Sequence, residues 1–330
     1  MNKDNEVFLG EYLMSKFLVS GYVGFDNFGD EAIVFVLAQK LKSQGAEKIT
    51  WISSNPVKTA SLYDVKAVGM FDFFKPMLEC DIFISGGGSL LQDITSLKSL
   101  LYYLGLIFIA LILRKKVIIY AQGFSEFRTF WGKRLTIYAL KMCSEITVRD
   151  IQSQKLLARW NIESKLVPDP VWQISIPNQA QKQGVGVQLR ICENIDAKFL
   201  EILADNVAKN FAQQEIKLIS LQDSIDVCIL KEFQSLLKNK GVDSVIVSNL
   251  SIKQAIEVIS NLEYLIAMRF HACLIGAKVK SKVLGISYDK KVFSLAENVN
   301  FPVLNLKEYN LDEGFNKLKN LNPNDYILPD

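Results

Sequence analysis

An alternation of short apolar runs with longer segments of helical period constrains this chain more than any other feature. The runs cover residues 16–22 (KFLVSGY), 48–54 (KITWISS), 81–86 (DIFISG), 116–122 (KVIIYAQ), 145–150 (EITVRD) and 164–169 (SKLVPD). Between them lie stretches such as GDEAIVFVLAQKLKSQGA, which ends at Gly45. Strands of this kind separated by helices imply βαβ units and a parallel sheet. Over residues 168–183 the texture changes to PDPVWQISIPNQAQKQ, with three prolines and no clear period, which reads as a linker. The alternation then resumes at 184–190 (GVGVQLR), 216–222 (IKLISLQ), 243–249 (DSVIVSN), 263–269 (EYLIAMR) and 281–287 (SKVLGIS), with a helix through AKFLEILADNVAKNF.

The expectation is therefore an α/β protein with two doubly wound domains, residues 1–170 and 184–330, joined by a linker at 171–183 and facing a cleft. The last helix is left open to packing back on the first domain. A chain of 330 residues with 49% hydrophobic content supplies two such cores. In doubly wound sheets ligands bind outside the carboxyl ends of the strands, so the motifs should gather there.

Charge alone does not imply nucleic acid, and no nucleic-acid partner is expected, because 38 Lys and Arg nearly balance 35 Asp and Glu; a locally basic face stays open. Five cysteines (Cys80, Cys143, Cys192, Cys228, Cys273) stand singly and read as small buried hydrophobes in a reducing compartment. Residues 1–21 carry Asp4, Glu6 and Glu11 among their apolar positions and offer no secretory h-region, so a cytoplasmic protein is expected. The run LLYYLGLIFIALIL, residues 100–113, has 14 apolar positions followed by Arg114, Lys115 and Lys116. That is shorter than the ~18 residues a spanning helix needs, which leaves a core helix or a helix apposed to a membrane.

Three strand exits carry candidate chemistry. GYVGFDNFGDEA follows the first strand, and Asn27 and Asp30 there either cap a helix or bind substrate. ISGGGSLLQD places Gly86, Gly87, Gly88 and Ser89 after a buried strand and before an expected helix, where backbone N–H groups would form an anion site, with Gln92 and Asp93 one helical turn in. EITVRD puts Arg149 at a strand end, suited to a carboxylate or phosphate, or to a surface pair with an acid.

His271, in RFHACLIGA, is the only histidine in the chain. It should open a helix directly after a buried strand. Past the next strand comes YDKKV, with Lys290 and Lys291 at the neighbouring strand-to-helix turn. One group can exchange a proton and the other can neutralise an anion.

Taken in order, ISGGGSLLQD, YAQG, ITVRD, DPV, the R-x-H-A of RFHACLIGA and SYDKKV resemble the polysaccharide pyruvyl transferase family, especially its bacterial cell-wall branch. The resemblance implies two Rossmann-like domains of glycosyltransferase-B-like architecture. It also implies transfer of pyruvate from phosphoenolpyruvate, the donor substrate, to two hydroxyls of a lipid-linked, diphosphate-bearing amino sugar. His271 takes the place of the family's proposed general acid/base. Arg149 and Lys291 take the places of its phosphoenolpyruvate-binding cations, with Lys290 a rival for Lys291 because Y-D-P-K-V has become YDKKV, and Arg269 beside them in R-x-H-A. The glycine-rich loop, Gln122 of YAQG and Arg190 of LRIC fall on the acceptor side. FSEF after YAQG and LRIC in place of L-R-x-W depart from the family pattern, which leaves the sugar open.

The resemblance calls for no cofactor and no metal. The expected partners are phosphoenolpyruvate, the lipid-linked acceptor and, through the cations after Leu113, the periphery of an anionic membrane; a homo-oligomer is left open. A sugar-nucleotide-dependent glycosyltransferase and a non-catalytic phospho-ligand binding protein are the alternatives.

Overall fold

The computed structural model describes residues 14–94, 96–176, 182–192, 195–288 and 290–329. Most of the segment read for a secretory signal therefore lies outside the described residues, as do linker residues 177–181 and Asp289 of YDKKV. The chain divides into two units that meet between Gln173 and Ile174.

In the first unit, β1 (Lys16–Ser20), α1 (Phe28–Ser43), β2 (Lys48–Ser53), α2 (Pro56–Tyr63), β3 (Lys66–Gly69), α3 (Phe74–Glu79) and β4 (Ile82–Ser85) are followed by α4 (Leu97–Ile112), β5 (Lys116–Gln122), α5 (Phe130–Lys141), β6 (Glu145–Val148), α6 (Ile151–Arg159) and β7 (Lys165–Leu166). The sheet order is β3-β2-β1-β4-β5-β6-β7, and every pairing is parallel. The chain winds outward from β1 to one edge and returns on the other side of β1 as β4. The strand order thus reverses between β1 and β4, which leaves the exits of these two strands side by side.

The second unit repeats the scheme with β8 (Val185–Gln188), α7 (Ala197–Phe211), β9 (Ile216–Ile219), α8 (Asp223–Asn239), β10 (Val245–Val247) and α9 (Ile252–Ser260). β11 (Tyr264–Ala267), α10 (Phe270–Lys278), β12 (Lys282–Ser287), α11 (Lys290–Val299), β13 (Val303–Asn305) and α12 (Leu311–Asn320) complete it. Its parallel sheet has the order β10-β9-β8-β11-β12-β13, and the reversal falls between β8 and β11.

Three central strands, β4, β8 and β11, are buried along their whole length. Helices start where a side chain can satisfy free backbone donors. Ser96, Thr129, Asp150 and Asp196 each accept from an N–H of the first turn, and Ser251 forms a capping box with Gln254. Each such cap contributes about 1 kcal/mol. The eleven apolar runs all become strands, whereas KAVG of β3 and VLN of β13 give no comparable run. Both lie at sheet edges, where a strand needs less apolar length.

Three expectations change. Pro170–Gln173 is a 3-10 turn with Val171 buried, and it packs on α1, so the start of the linker belongs to the first unit. The last helix stays in the second unit: Leu311, Phe315 and Leu318 of α12 join its core, and Phe315 lies 6.0 Å from Phe211, ring centre to ring centre. Cys80 and Cys273 are buried, with burial pushing the Cys80 thiol up to about 11, but Cys228 on α8 is exposed.

The apolar run 100–113 forms most of α4. Its inner side is core, through Leu100, Leu104, Ile107 and Ala110, while Leu101 and Ile112 face out. No helix among the described residues is long and apolar enough to cross a membrane.

Removing a core ring from α12 tests its place in the fold. Phe315→Ala should lower stability against urea by about 3–5 kcal/mol. An unchanged unfolding midpoint would mean that α12 is not part of the second core.

Candidate functional site

The second unit presents its polar groups at the exits of β8, β11 and β12, the three strands around the order reversal. His271 is the second residue of α10, in the helix's first turn, because Arg269 takes the N-cap position straight after β11. The imidazole meets the Phe270 ring edge-on at 5.0 Å and 88°, and its Nε2 atom is buried while the residue as a whole is part-exposed. Lys290 and Lys291 open α11 after the adjacent strand β12, and both are exposed. Cations in the first turn work against the helix dipole, an arrangement that an anionic ligand would offset. At the exit of β8, Arg190 donates from Nη1 to the Tyr288 hydroxyl at 2.7 Å, and its guanidinium carbon lies 4.9 Å from the centre of that ring. Tyr288 carried no signal in the sequence, because its partner is 98 residues away.

Arg269, expected beside the donor-binding cations, is buried and paired within its own unit. Its Nε and Nη2 clamp the carboxylate of Asp226 at 2.9 and 2.6 Å, Nη2 also donates to Gln222 Oε1 at 3.1 Å, and both charged side chains are buried. Asp226 in turn accepts from the backbone N–H groups of Leu221 and Gln222, while Gln188 Oε1 accepts from Arg269 N. The arginine of R-x-H-A therefore positions the turn from which His271 rises. Asp226, Gln188 and Gln222 went unnoticed because their function depends on three separate strand exits meeting.

The first unit gathers the loops after β1, β4, β5 and β6. ISGGGSLLQD does not lead directly into a helix as expected, since α4 begins only at Leu97, capped by Ser96. Packing accounts for the glycines. A Cβ on Gly86 would lie 2.8 Å from the Ser20 carbonyl oxygen, and one on Gly87 would lie 2.9 Å from Ile33. Gly88, at φ +99, would meet the Asp30 carboxylate at 2.9 Å. Asp93 is buried outside any helix, and its carboxylate accepts from Arg128 N, Thr129 N and Thr129 Oγ1, tying this loop to the start of α5. Burial alone would raise its pKa, but these hydrogen bonds hold it below the usual carboxylate range. Gln92 Oε1 accepts from Ile94 N. Asn27 caps α1 through Gly29 N and donates to Asp30 at 2.6 Å, so the capping reading of that turn holds.

Arg149 and Gln122 complete this side. Arg149 pairs with Asp169 of the DPV segment at 2.9 Å, with both side chains nearly buried, and its Nη2 lies 3.5 Å from Ser89 Oγ. The guanidinium rests against Gly123, where a Cβ would come within 3.2 Å of Nε. Gln122 donates to Ser85 Oγ at 2.7 Å and Gly86 O at 2.9 Å, while its buried Oε1 meets no donor among the described residues. An open acceptor beside a guanidinium and a serine hydroxyl suits a hydroxyl-bearing ligand. Among the described residues no three His, Cys, Asp or Glu side chains gather as metal ligands.

Glu31 holds the loop after β1. It accepts from Gly24 N at 2.7 Å and from the Tyr63 hydroxyl. Burial raises its pKa above the usual carboxylate range, against the lowering effect of those two hydrogen bonds.

The sequence model of the polysaccharide pyruvyl transferase family matches residues 27–290. The chain belongs to this family. The match takes in the exits of β4 through β12 and reaches Lys290. A search of curated protein sequences finds no match. Similar solved structures include the UDP-GlcNAc 2-epimerase of Methanocaldococcus jannaschii (TM-score 0.65, 12% identity, 95% of this chain and 94% of that one covered). Others are the UDP-GlcNAc 2-epimerase of Neisseria meningitidis bound to UDP-GlcNAc (0.58, 11%, 93% and 95%) and Anabaena Alr3699/HepE with UDP and glucose (0.58, 11%, 88% and 86%). At such identities the likeness concerns the fold: the two Rossmann-like units are those of glycosyltransferase-B-like proteins.

For this pyruvyl transferase family member, Asp226→Ala should cost about 3–5 kcal/mol, because it leaves Arg269 buried without its counter-charge. Urea unfolding measures it, and a loss below that of an ordinary surface substitution would refute the buried pair. Glu31 should leave a signature in pH. A folded carboxyl with a raised pKa holds its proton where the unfolded one has released it, so stability is lost as pH rises from the usual carboxylate range through the raised value. Glu31→Gln should remove that loss, seen as a flatter dependence of the unfolding midpoint on pH, whereas parallel curves for the two proteins would contradict it.

Proposed function

We propose that the protein transfers pyruvate from phosphoenolpyruvate to two hydroxyls of a lipid-linked, diphosphate-bearing cell-envelope sugar, forming a pyruvate ketal and releasing phosphate. Membership of the pyruvyl transferase family across residues 27–290 is the observation that carries this reading. The placement of a lone histidine and two lysines at adjacent strand exits supports it.

The chemistry asks little of the protein. Protonation of C3 of the enolpyruvyl group makes C2 electrophilic, one sugar hydroxyl adds there with loss of its proton, phosphate leaves, and the second hydroxyl closes the ketal. His271 is assigned the proton at C3, since it stands in the first turn of a helix and is part-exposed. The lysines of α11 are assigned the donor's negative charge. Asp30, Ser89 and Gln122 of the first unit are assigned to the acceptor.

The test is incubation with phosphoenolpyruvate and a lipid-linked or synthetic diphospho-sugar, followed by measurement of released phosphate and of a product heavier by a pyruvyl ketal. Consumption of a sugar nucleotide without phosphoenolpyruvate would replace this reading with a glycosyltransferase. His271→Ala should reduce turnover by ~10²–10⁴-fold while leaving the melting temperature nearly unchanged. Retained turnover would pass the proton to another group.

A further inference from the structure

We propose that the outward face of α5, together with the adjoining stripe of α4, is a docking surface for an anionic lipid bilayer. This rests on exposure and charge, not on the reaction proposed above. In α5 the usual amphipathic order is inverted. Of the buried positions Gly132, Thr136, Ala139 and Leu140, three are small, whereas the large rings of Phe130 (63% exposed), Trp131 (70%) and Tyr138 (61%) face out. A surface helix ordinarily turns its large apolar side chains inward, so a face built this way marks an interaction site. α4 extends it. Leu101, Phe108 and Ile112 share one helical stripe, Ile112 is 78% exposed, and the Phe108 and Tyr138 rings lie 6.1 Å apart.

Charge selects the occupant. Residues 94–144 hold eight Lys and Arg against one acid, Glu126, which itself pairs with Arg159. Lys98, Arg114, Arg128, Arg134 and Lys141 are exposed, and the Arg134 guanidinium lies 5.1 Å from the Phe130 ring centre. Trp, Tyr and Phe among exposed cations match the boundary between acyl chains and anionic headgroups. A second copy docking through the same face would set like charges against each other, which disfavours a symmetric dimer here. The sequence pointed to Arg114, Lys115 and Lys116, but Lys115 is engaged by the Leu78 and Cys80 carbonyls, and the weight moves to α5. The hydrogen bonds from Arg128 N and Thr129 N to Asp93 bind the start of α5 to the loop after β4. A bilayer on this face would therefore adjoin the first unit's glycine-rich loop.

The experiment is flotation of the full chain with phosphatidylcholine vesicles, with and without phosphatidylglycerol. The protein should float only with the anionic vesicles, less so at high salt. The pairs Trp131→Ser with Tyr138→Ser and Arg134→Glu with Lys141→Glu should each reduce partition by at least about tenfold, without change in melting temperature, because all four side chains are exposed. Brominated lipid should quench Trp131 emission in the parent, and Trp131→Phe should abolish that component yet still float. Failure to float with anionic vesicles at low salt, or equal partition of parent and both paired variants, would overturn the proposal. Self-association in the ultracentrifuge that is abolished by Trp131→Ser would also overturn it, by assigning the face to a second copy.

Discussion

A parallel strand covered by helices on both faces has no side on which to carry polar chemistry, and the rest of this molecule follows from that constraint. β4, β8 and β11 are buried from end to end, so every group able to bind or react is displaced to the carboxyl exits. The order reversal then decides which exits stand together. In the first unit it juxtaposes the loops after β1 and β4; in the second, those after β8 and β11. Asp30 meets Gly88 in one, and Gln188 meets Arg269 in the other.

Each unit stabilises its exits with a buried arginine–aspartate pair. Arg149 with Asp169, and Arg269 with Asp226, are held at hydrogen-bonding distance away from solvent. Such pairs contribute little net stability compared with apolar packing, but losing one partner strands the other charge. Their value here is positional. Arg269 occupies the N-cap of α10, so the clamp on its side chain fixes the helix start and with it the direction from which His271 emerges.

The solved relatives share this architecture at 11–12% identity, so the fold on its own does not choose among sugar chemistries. In the second unit a lone histidine and adjacent lysines stand at neighbouring exits.

Strand by strand, much of this was legible from the order of residues along the chain. Each apolar run became a strand, Asp150 capped α6, and His271 opened α10, because β-branched runs, caps and helix starts are local properties. KAVG and VLN escaped notice because an edge strand needs little apolar length. The fates of the polar side chains were not legible. Arg269 reads in sequence like a ligand-binding cation, Asp93 like a helix residue near an anion site, and the glycine triplet like a phosphate cradle. Asp226, Thr129 and Ser20 with Ile33, in turn, claim them. The outward rings of α5 were equally hidden, since periodicity shows that a helix has an apolar side but not which way that side faces. The sequence by itself determined which segments are strands and helices and where the chemistry-bearing residues sit along them, because those preferences act over a few residues. Only the tertiary structure decided which charges are spent on each other and which stay available, because that depends on contacts between residues 20 to 43 positions apart.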